Sequence, residues 1–564
     1  MVRTLFHHWL RGLPIVVFAA CTSVAAYAAD PPAAKPAEPP ISHRVLPEGK
    51  LPDDARLGPL RNIDSYFPLS PPASREEWER RAERVRRQVL VATGLWPMPT
   101  KTPANAVVHG RVDRDGYTVD KVYFESFPGH FVSGSLYRPK GHSGQKLPGI
   151  LSPYGHWEKG RFSEASVKEF RKQIVEGAER FEDSGRYPLQ ARCVQLARMG
   201  CIVFQYDMEG MADSQQIPVG VAHYLKKRRP EMDTPELWGL FSVQAELHLQ
   251  NIMGIQTYNS IRALDWLLTL PDVDPERIAV TGESGGGTQT YMLAAIDPRV
   301  KVAVPAVMVS TAMQGGCTCE NCCYLRVGTG NIELAALIAP RPLCCLAADD
   351  WTHEIMTKGL PELEKVYGLY GAEKDVTAKA LLQFPHNYNY VSREVMYQWI
   401  NKYFKLGLEE PVIEEDFKPL TVAEMTVWDK EHPRPPGGPQ HERALLQWMT
   451  DDSAKQMAAL TPHGIDEAAK KQAAEWRRLV GGAIDVMVGR ELPPSGAVSF
   501  DTVRSAERDG YMEFAGMIRY VEKREELPTL ILAPINNRTN HVAIWLDADG
   551  RRGFIRPQAR QRRG

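Results

Sequence analysis

Three side chains in the middle of the chain have the types and the order of a nucleophilic triad. Ser284 lies in Thr281-Gly282-Glu283-Ser284-Gly285-Gly286-Gly287-Thr288, a G-x-S-x-G pattern directly after the apolar run Arg277–Thr281 and before the helical run Gln289–Ala295. On a sharp strand-to-helix turn a serine hydroxyl projects from the carboxyl end of a sheet, and glycines on either side remove side chains that would clash where strand and helix pass. The N–H of Gly285, at the amino end of the following helix, is expected to face a developing oxyanion. A base and an orienting acid should follow in the order serine, acid, histidine. Asp350 is assigned as the acid, with its neighbour Asp349 as the reserve; both follow the apolar run Leu343–Ala348. His386, in Phe384-Pro385-His386-Asn387-Tyr388-Asn389 after the last apolar run, is assigned as the base; His353 is the nearby competitor. The second oxyanion donor is placed at the backbone N–H of His156, in the turn Pro153-Tyr154-Gly155-His156-Trp157, with Tyr154 and Trp157 as an aromatic wall of the substrate pocket. Such a constellation transfers an acyl group through a covalent serine intermediate and requires no metal or cofactor.

The elements that must position these residues can be read from the apolar pattern. Thr118–Ser126 and Phe131–Arg138 read as an antiparallel pair. Short runs at Leu147–Ser152, Cys201–Tyr206, Arg277–Thr281, Val300–Val304, Leu343–Ala347 and Ala378–Phe384 follow, with helical sequence between them. Near-continuous apolar runs alternating with helices predict an α/β class, a mostly parallel, doubly wound sheet covered on both faces. Ser74 with Glu77 three residues on opens a charged helix ahead of the sheet.

Size and composition frame this reading. A chain of 564 residues exceeds one ordinary domain. With 43% hydrophobic and 24% charged residues it has ordinary globular composition, and its net charge of −1 argues against a nucleic-acid partner. Residues 1–28 read as an export signal, with the apolar stretch Leu13–Ala20 and an A-x-A site at Ala26-Tyr27-Ala28. The protein is therefore expected in the periplasm or outside the cell. A membrane attachment enters only through a lipoprotein reading of Ala19-Ala20-Cys21, in which Cys21 is lipidated. Residues 29–72 form a Pro/Ala-rich linker, 73–407 the catalytic domain and 408–455 a second linker.

Residues 456–564 read as an incomplete repeat of the first domain. Trp476-Arg477-Arg478 echoes Trp78-Glu79-Arg80-Arg81, Arg508-Asp509-Gly510-Tyr511 repeats Arg114-Asp115-Gly116-Tyr117, and Leu527–Pro534 echoes Leu147–Pro153. The basic, aperiodic end from Arg551 is read as a truncated or frame-shifted terminus. Eight cysteines remain beyond the signal: Cys193, Cys201, Cys317, Cys319, Cys322, Cys323, Cys344 and Cys345. The cluster Cys317–Cys323 lacks the two-knuckle zinc spacing, and in an exported protein it is expected to form disulfides bracing its loop, with metal or free thiols as the alternative.

The elbow around Ser284, the turn Tyr206-Asp207-Met208-Glu209-Gly210-Met211-Ala212-Asp213-Ser214, Asp350-Trp351-Thr352 and His386-Asn387-Tyr388-Asn389 together resemble the α/β-hydrolase superfamily. The resemblance is to its acetyl xylan esterase and dienelactone-hydrolase-like branch of exported bacterial enzymes, over roughly residues 74–406. Met211 and Ala212 depart from the family's glycine pattern in that turn. The resemblance implies a serine carboxylic ester hydrolase whose substrate is a small acyl ester or an acylated polysaccharide. Residues 156–192 and 211–250 would shape specificity at the carboxyl end of the sheet. Two other readings share the pattern: a serine peptidase of the prolyl-oligopeptidase type, and a glycan-binding protein that keeps the fold without its chemistry.

Overall fold

A computed structural model describes residues 44–157, 159–223, 228–536, 539 and 541–545. The expected export signal at residues 1–28, the start of the following linker and the basic end lie outside the described residues. The chain divides into two compact units: one is Pro59–Leu492, and the other joins Pro493 onward to the segment that ends at Gly58.

The larger unit is built on nine strands: β1 (Val107–Asp113), β2 (Tyr117–Phe127), β3 (His130–Pro139), β4 (Leu147–Leu151), β5 (Ile202–Tyr206), β6 (Val273–Glu283), β7 (Val302–Ala306), β8 (Leu343–Asp349) and β9 (Val376–Pro385). They form one sheet in the order β1-β2-β3-β5-β4-β6-β7-β8-β9. β1, β2 and β3 pair antiparallel, as do β3 and β5; from β5 through β4 to β9 every pairing is parallel. All eight apolar runs read from the sequence are strands of this sheet. β1 escaped that reading because its half-exposed sequence, with Gly110 in the middle, has no continuous apolar face.

Alternation along the buried strands sends side chains into two separate cores. On β8, Leu343, Cys345 and Ala347 enter one core, while Cys344, Leu346 and Ala348 enter the other. The first core is covered by α1 (Arg75–Ala92); the second by α2 (Pro188–Arg198). α3 (Ile252–Leu267) and α4 (Gly285–Ile296) complete the first cover, and α5 (Leu360–Gly368) adds to it, while α6 (Tyr390–Phe404) completes the second. Ser74 does cap α1, its side chain accepting the Glu77 N–H. A sheet covered on both faces exposes its chemistry only at strand ends, which is where the candidate residues lie.

Residues 408–455, read as a linker, are folded onto this unit. Glu414 and Glu179 share the fully buried Arg393 in paired hydrogen bonds of 2.7–2.9 Å. Helix α7 (Pro439–Leu460) puts Leu445, Leu446 and Met449 into the first core, and Glu442 binds Arg229 at 2.8 Å through both carboxylate oxygens. The Pro/Gly run hid this because it only sets the turn into the helix.

In the smaller unit β10 (Ser499–Arg508), β11 (Tyr511–Tyr520) and β12 (Glu525–Pro534) form an antiparallel sheet in that order. The repeated Arg-Asp-Gly-Tyr sits at the same hairpin turn in both places, between β1 and β2 and between β10 and β11. The third echo differs: β12 pairs antiparallel with β11, so it corresponds to β3, whereas Leu147–Leu151 is the parallel strand β4.

Candidate active site

Ser284 stands between β6 and α4 with φ 55° and ψ −123°, a strained backbone for a residue carrying a side chain. Its N–H donates to Ala306 O at 3.1 Å and its carbonyl accepts from Thr288 N–H at 2.9 Å, so the turn is held from both sides. The glycines are required by close approach. A Cβ at Gly282 would lie 2.4 Å from Pro153 O, and one at Gly286 2.6 Å from Tyr154 N. A Cβ at Gly155 would lie 2.7 Å from Ser284 Cβ, which presses the turn after β4 against the serine.

Asp350 follows the end of β8. Its Oδ2 is 2.7 Å from His386 Nδ1, and its Oδ1 accepts from Thr352 N–H at 2.7 Å and from Thr352 Oγ1 at 2.5 Å. The Asp350 side chain is buried while the His386 side chain is one-third exposed. Of the two neighbouring carboxylates it is Asp350 that reaches His386, while Asp349 ends the strand exposed. His353 Nδ1 lies 2.6 Å from Asp350 O and takes no part in the pair. The Trp351 ring packs on His386 with centroids 4.5 Å apart. Among the described residues no hydrogen bond joins Ser284 to His386; such contacts commonly close only around substrate.

A buried ion pair not anticipated from the sequence ties these parts together. Glu283, between Gly282 and Ser284, pairs with Arg192 of α2. Glu283 Oε1 also accepts from Trp157 Nε1 at 2.9 Å and from Gly155 N–H at 3.3 Å. Arg192 donates to Ser152 Oγ at 3.0 Å and Pro153 O at 3.2 Å, and lies 5.0 Å from the Tyr388 ring centroid. Tyr388 OH is 2.6 Å from Thr281 Oγ1. One guanidinium therefore touches the turn after β4, the serine elbow and the histidine loop. No sequence pattern signals a pair 91 positions apart.

Two pocket assignments need revision or refinement. Tyr154 is fully buried, and its OH donates to Asp207 Oδ1 at 2.8 Å. It does not form a pocket wall, because it serves the buried network in which Arg161 binds Asp207 at 2.9 Å and Asp213 at 2.6 Å. Burial and the Asp207 charge push its hydroxyl pKa far above the ordinary tyrosine value. Trp157 is half-buried with its indole N–H on Glu283, so its ring is fixed beside the elbow. In the same turn the Gly155 amide serves Glu283 and the Trp157 amide donates to Gly155 O at 2.9 Å.

The cysteine loop also departs from expectation. Among the described residues all eight cysteines are unpaired, and the expected bracing disulfides are not formed there. Cys317 and Cys319 instead face imidazoles: Cys317 Sγ lies 3.7 Å from His223 Nδ1, and Cys319 Sγ lies 3.1 Å from His156 Nε2. A hydrogen bond from Cys319 holds the Cys317 thiol far below its usual range, aided by both histidines against burial. Burial, opposed by the His156 charge, raises the neighbouring Glu320 carboxyl.

No family model matches the chain. A 137-residue stretch is 31% identical to "Putative hydrolase YtaP" of Bacillus subtilis (strain 168), covering 21% of this chain and 44% of that protein, so the match spans less than half the length of the curated relative. Methylesterase BT1017 superposes with a TM-score of 0.50 at 26% identity, over 69% of this chain and 78% of the other. A glucuronoyl esterase from Solibacter usitatus gives a TM-score of 0.40 at 15% identity, over 63% of this chain and 100% of the other. With its sheet order, its covered faces and its strand-to-helix elbow, the chain belongs to the α/β-hydrolase fold.

Proposed function

We propose that this protein is a serine ester hydrolase acting on esterified carbohydrate. The observation that carries the reading is the 2.7 Å Asp350–His386 pair at the sheet end that also bears Ser284 on its strained elbow. Asp350 holds His386 with Nδ1 protonated and Nε2 free to take the Ser284 proton as Oγ attacks the ester carbonyl. The oxyanion is received by the N–H of Gly285, at the start of α4, and by that of His156. The His386 imidazolium then protonates the leaving alcohol, and water, deprotonated by the same imidazole, releases the acid. The likeness to a methylesterase at 26% identity supports an ester hydrolase and adds a methyl ester to the acetyl ester as the bond cleaved. Residues 1–28, read as an export signal, support a site of action in the periplasm or outside the cell.

The test is the chain from residue 29 and its Ser284→Ala variant on p-nitrophenyl acetate, acetylated xylan and methyl-esterified polygalacturonate, with fluorophosphonate labelling. Turnover and labelling that both disappear in Ser284→Ala establish the serine esterase, and the two polymers separate acetyl from methyl ester. A wild-type chain that neither labels nor cleaves any ester, yet retains acetylated xylan in affinity electrophoresis, would establish the binding protein instead.

A further inference from the structure

His156, His223, Cys317 and Cys319 come from three separate segments, the turn after β4, the segment after β5 and the loop after β7, and converge on one point. One ligand atom from each, two imidazole nitrogens and two sulfurs, lies within 4.8 Å of all the others. Zinc bound by imidazole and thiolate at about 2.0–2.3 Å implies ligand-to-ligand edges of about 3.3–3.8 Å. The 3.7 Å contact lies within that range and the 3.1 Å contact just below it, so closing the tetrahedron requires shifts well under the length of a side chain. His223, Cys317 and Cys319 are buried, as a closed structural site requires.

A second observation points the same way. His223 Nε2 is 2.7 Å from Glu209 O, to which it donates, and this fixes the tautomer whose Nδ1 lone pair faces Cys317. Metal-bound histidines are typically oriented by such a bond from the other ring nitrogen to a carbonyl. The two rings stand edge to face, 4.9 Å apart at 87°, so their nitrogens approach the common point from different directions.

We propose that His156, His223, Cys317 and Cys319 form a closed Cys2His2 site for one Zn²⁺ ion. On the functional reading above, the ion anchors His156 and with it the backbone beside Ser284: a Cβ on Gly285 would lie 3.2 Å from His156 Cε1. The metal then acts as a brace of the oxyanion turn, with all four positions filled by protein and none open to substrate.

The experiment is metal analysis of the full chain produced with zinc, followed by replacement with Co²⁺. About one zinc per chain is expected, and the cobalt form should show the strong visible bands of a tetrahedral site together with thiolate-to-metal charge transfer. Cys317→Ser/Cys319→Ser and His223→Ala should each fall below about a tenth of an equivalent, whereas Cys323→Ser, whose side chain is exposed, should keep the metal. Ser284→Ala should also keep it, so that loss of esterase activity and loss of zinc are separate results. Titration of the wild type against a chromophoric chelator gives the stoichiometry even where a variant does not fold. Wild type without zinc, copper or iron in its place, a double cysteine variant that retains a full equivalent, or a Cys317–Cys319 disulfide in the intact mass would each overturn the proposal.

Discussion

Ser284 carries its hydroxyl at a price in backbone strain, and the two consequences can be measured separately. A side chain at φ 55° costs on the order of 1–3 kcal/mol. Ser284→Gly should therefore raise unfolding free energy by about 1 kcal/mol in urea melts while abolishing ester turnover, whereas Ser284→Ala should lose turnover without that gain. A Ser284→Gly protein no more stable than wild type would show that the elbow is relaxed. The acid offers a cleaner contrast. Asp350→Asn keeps the shape but presents the wrong tautomer to His386, and kcat should fall by about 10³–10⁴. Asp349→Asn, at the exposed strand end, should stay within a factor of about two, a change of under 0.5 kcal/mol. Equal losses in the two variants would reject the assignment. The order serine, acid, histidine was legible because each residue follows its own apolar run. The sequence could not decide between Asp349 and Asp350 outright, since β8 and β9 shift register at Ala348/Asp349 and the alternation breaks there.

The elements around the triad are held by polar contacts that no periodicity reports. Strand runs are local, so all eight could be read; the pair between Arg192 on α2 and Glu283 at the end of β6 is a meeting of distant segments that only the folded chain creates. The same holds for His223 with Cys317, and for Tyr154, whose place in a pocket was inferred from the turn that carries it and whose hydroxyl turns inward to Asp207. Arg192→Met should cost about 3–5 kcal/mol because it strands Glu283 in the interior. Arg192→Met/Glu283→Leu should regain most of that stability, since an apolar pair can replace a buried ion pair. Turnover should not return with it, because Trp157, Gly155 and the carbonyl of Pro153 lose their shared anchor. A double variant that is both stable and fully active would show that the pair fills space without positioning the elbow.

At the scale of the whole larger unit, the segment after α6 turns the hydrolase sheet into a larger body whose stability should depend on pH. His441 opens α7, with its Nε2 2.9 Å from His130 Nδ1, and His130 Nε2 in turn meets Glu209 at 3.0 Å. Gln216 Nε2 lies 3.3 Å from the other nitrogen of His441. Burial, then the neighbouring charge on His130, lowers the His441 pKa from 6.5 to about 4, with Glu209 opposing. Between those two values the unfolded chain binds a proton that the folded chain refuses, so stability is fully present above pH 6.5 and is lost as pH falls towards 4. At about 1.4 kcal/mol per unit the full loss from this group is on the order of 3 kcal/mol. Thermal melts of the wild type from pH 7.5 to 4 should slope downward across that window, and His441→Gln, which keeps a polar side chain of similar reach but cannot titrate, should flatten the slope. An unchanged slope in His441→Gln would place the acid sensitivity elsewhere. A flattened one would show that the Pro/Gly-rich stretch leads into a helix docked tightly enough to exclude a proton from its first turn, which is the behaviour of a domain element and not of a tether.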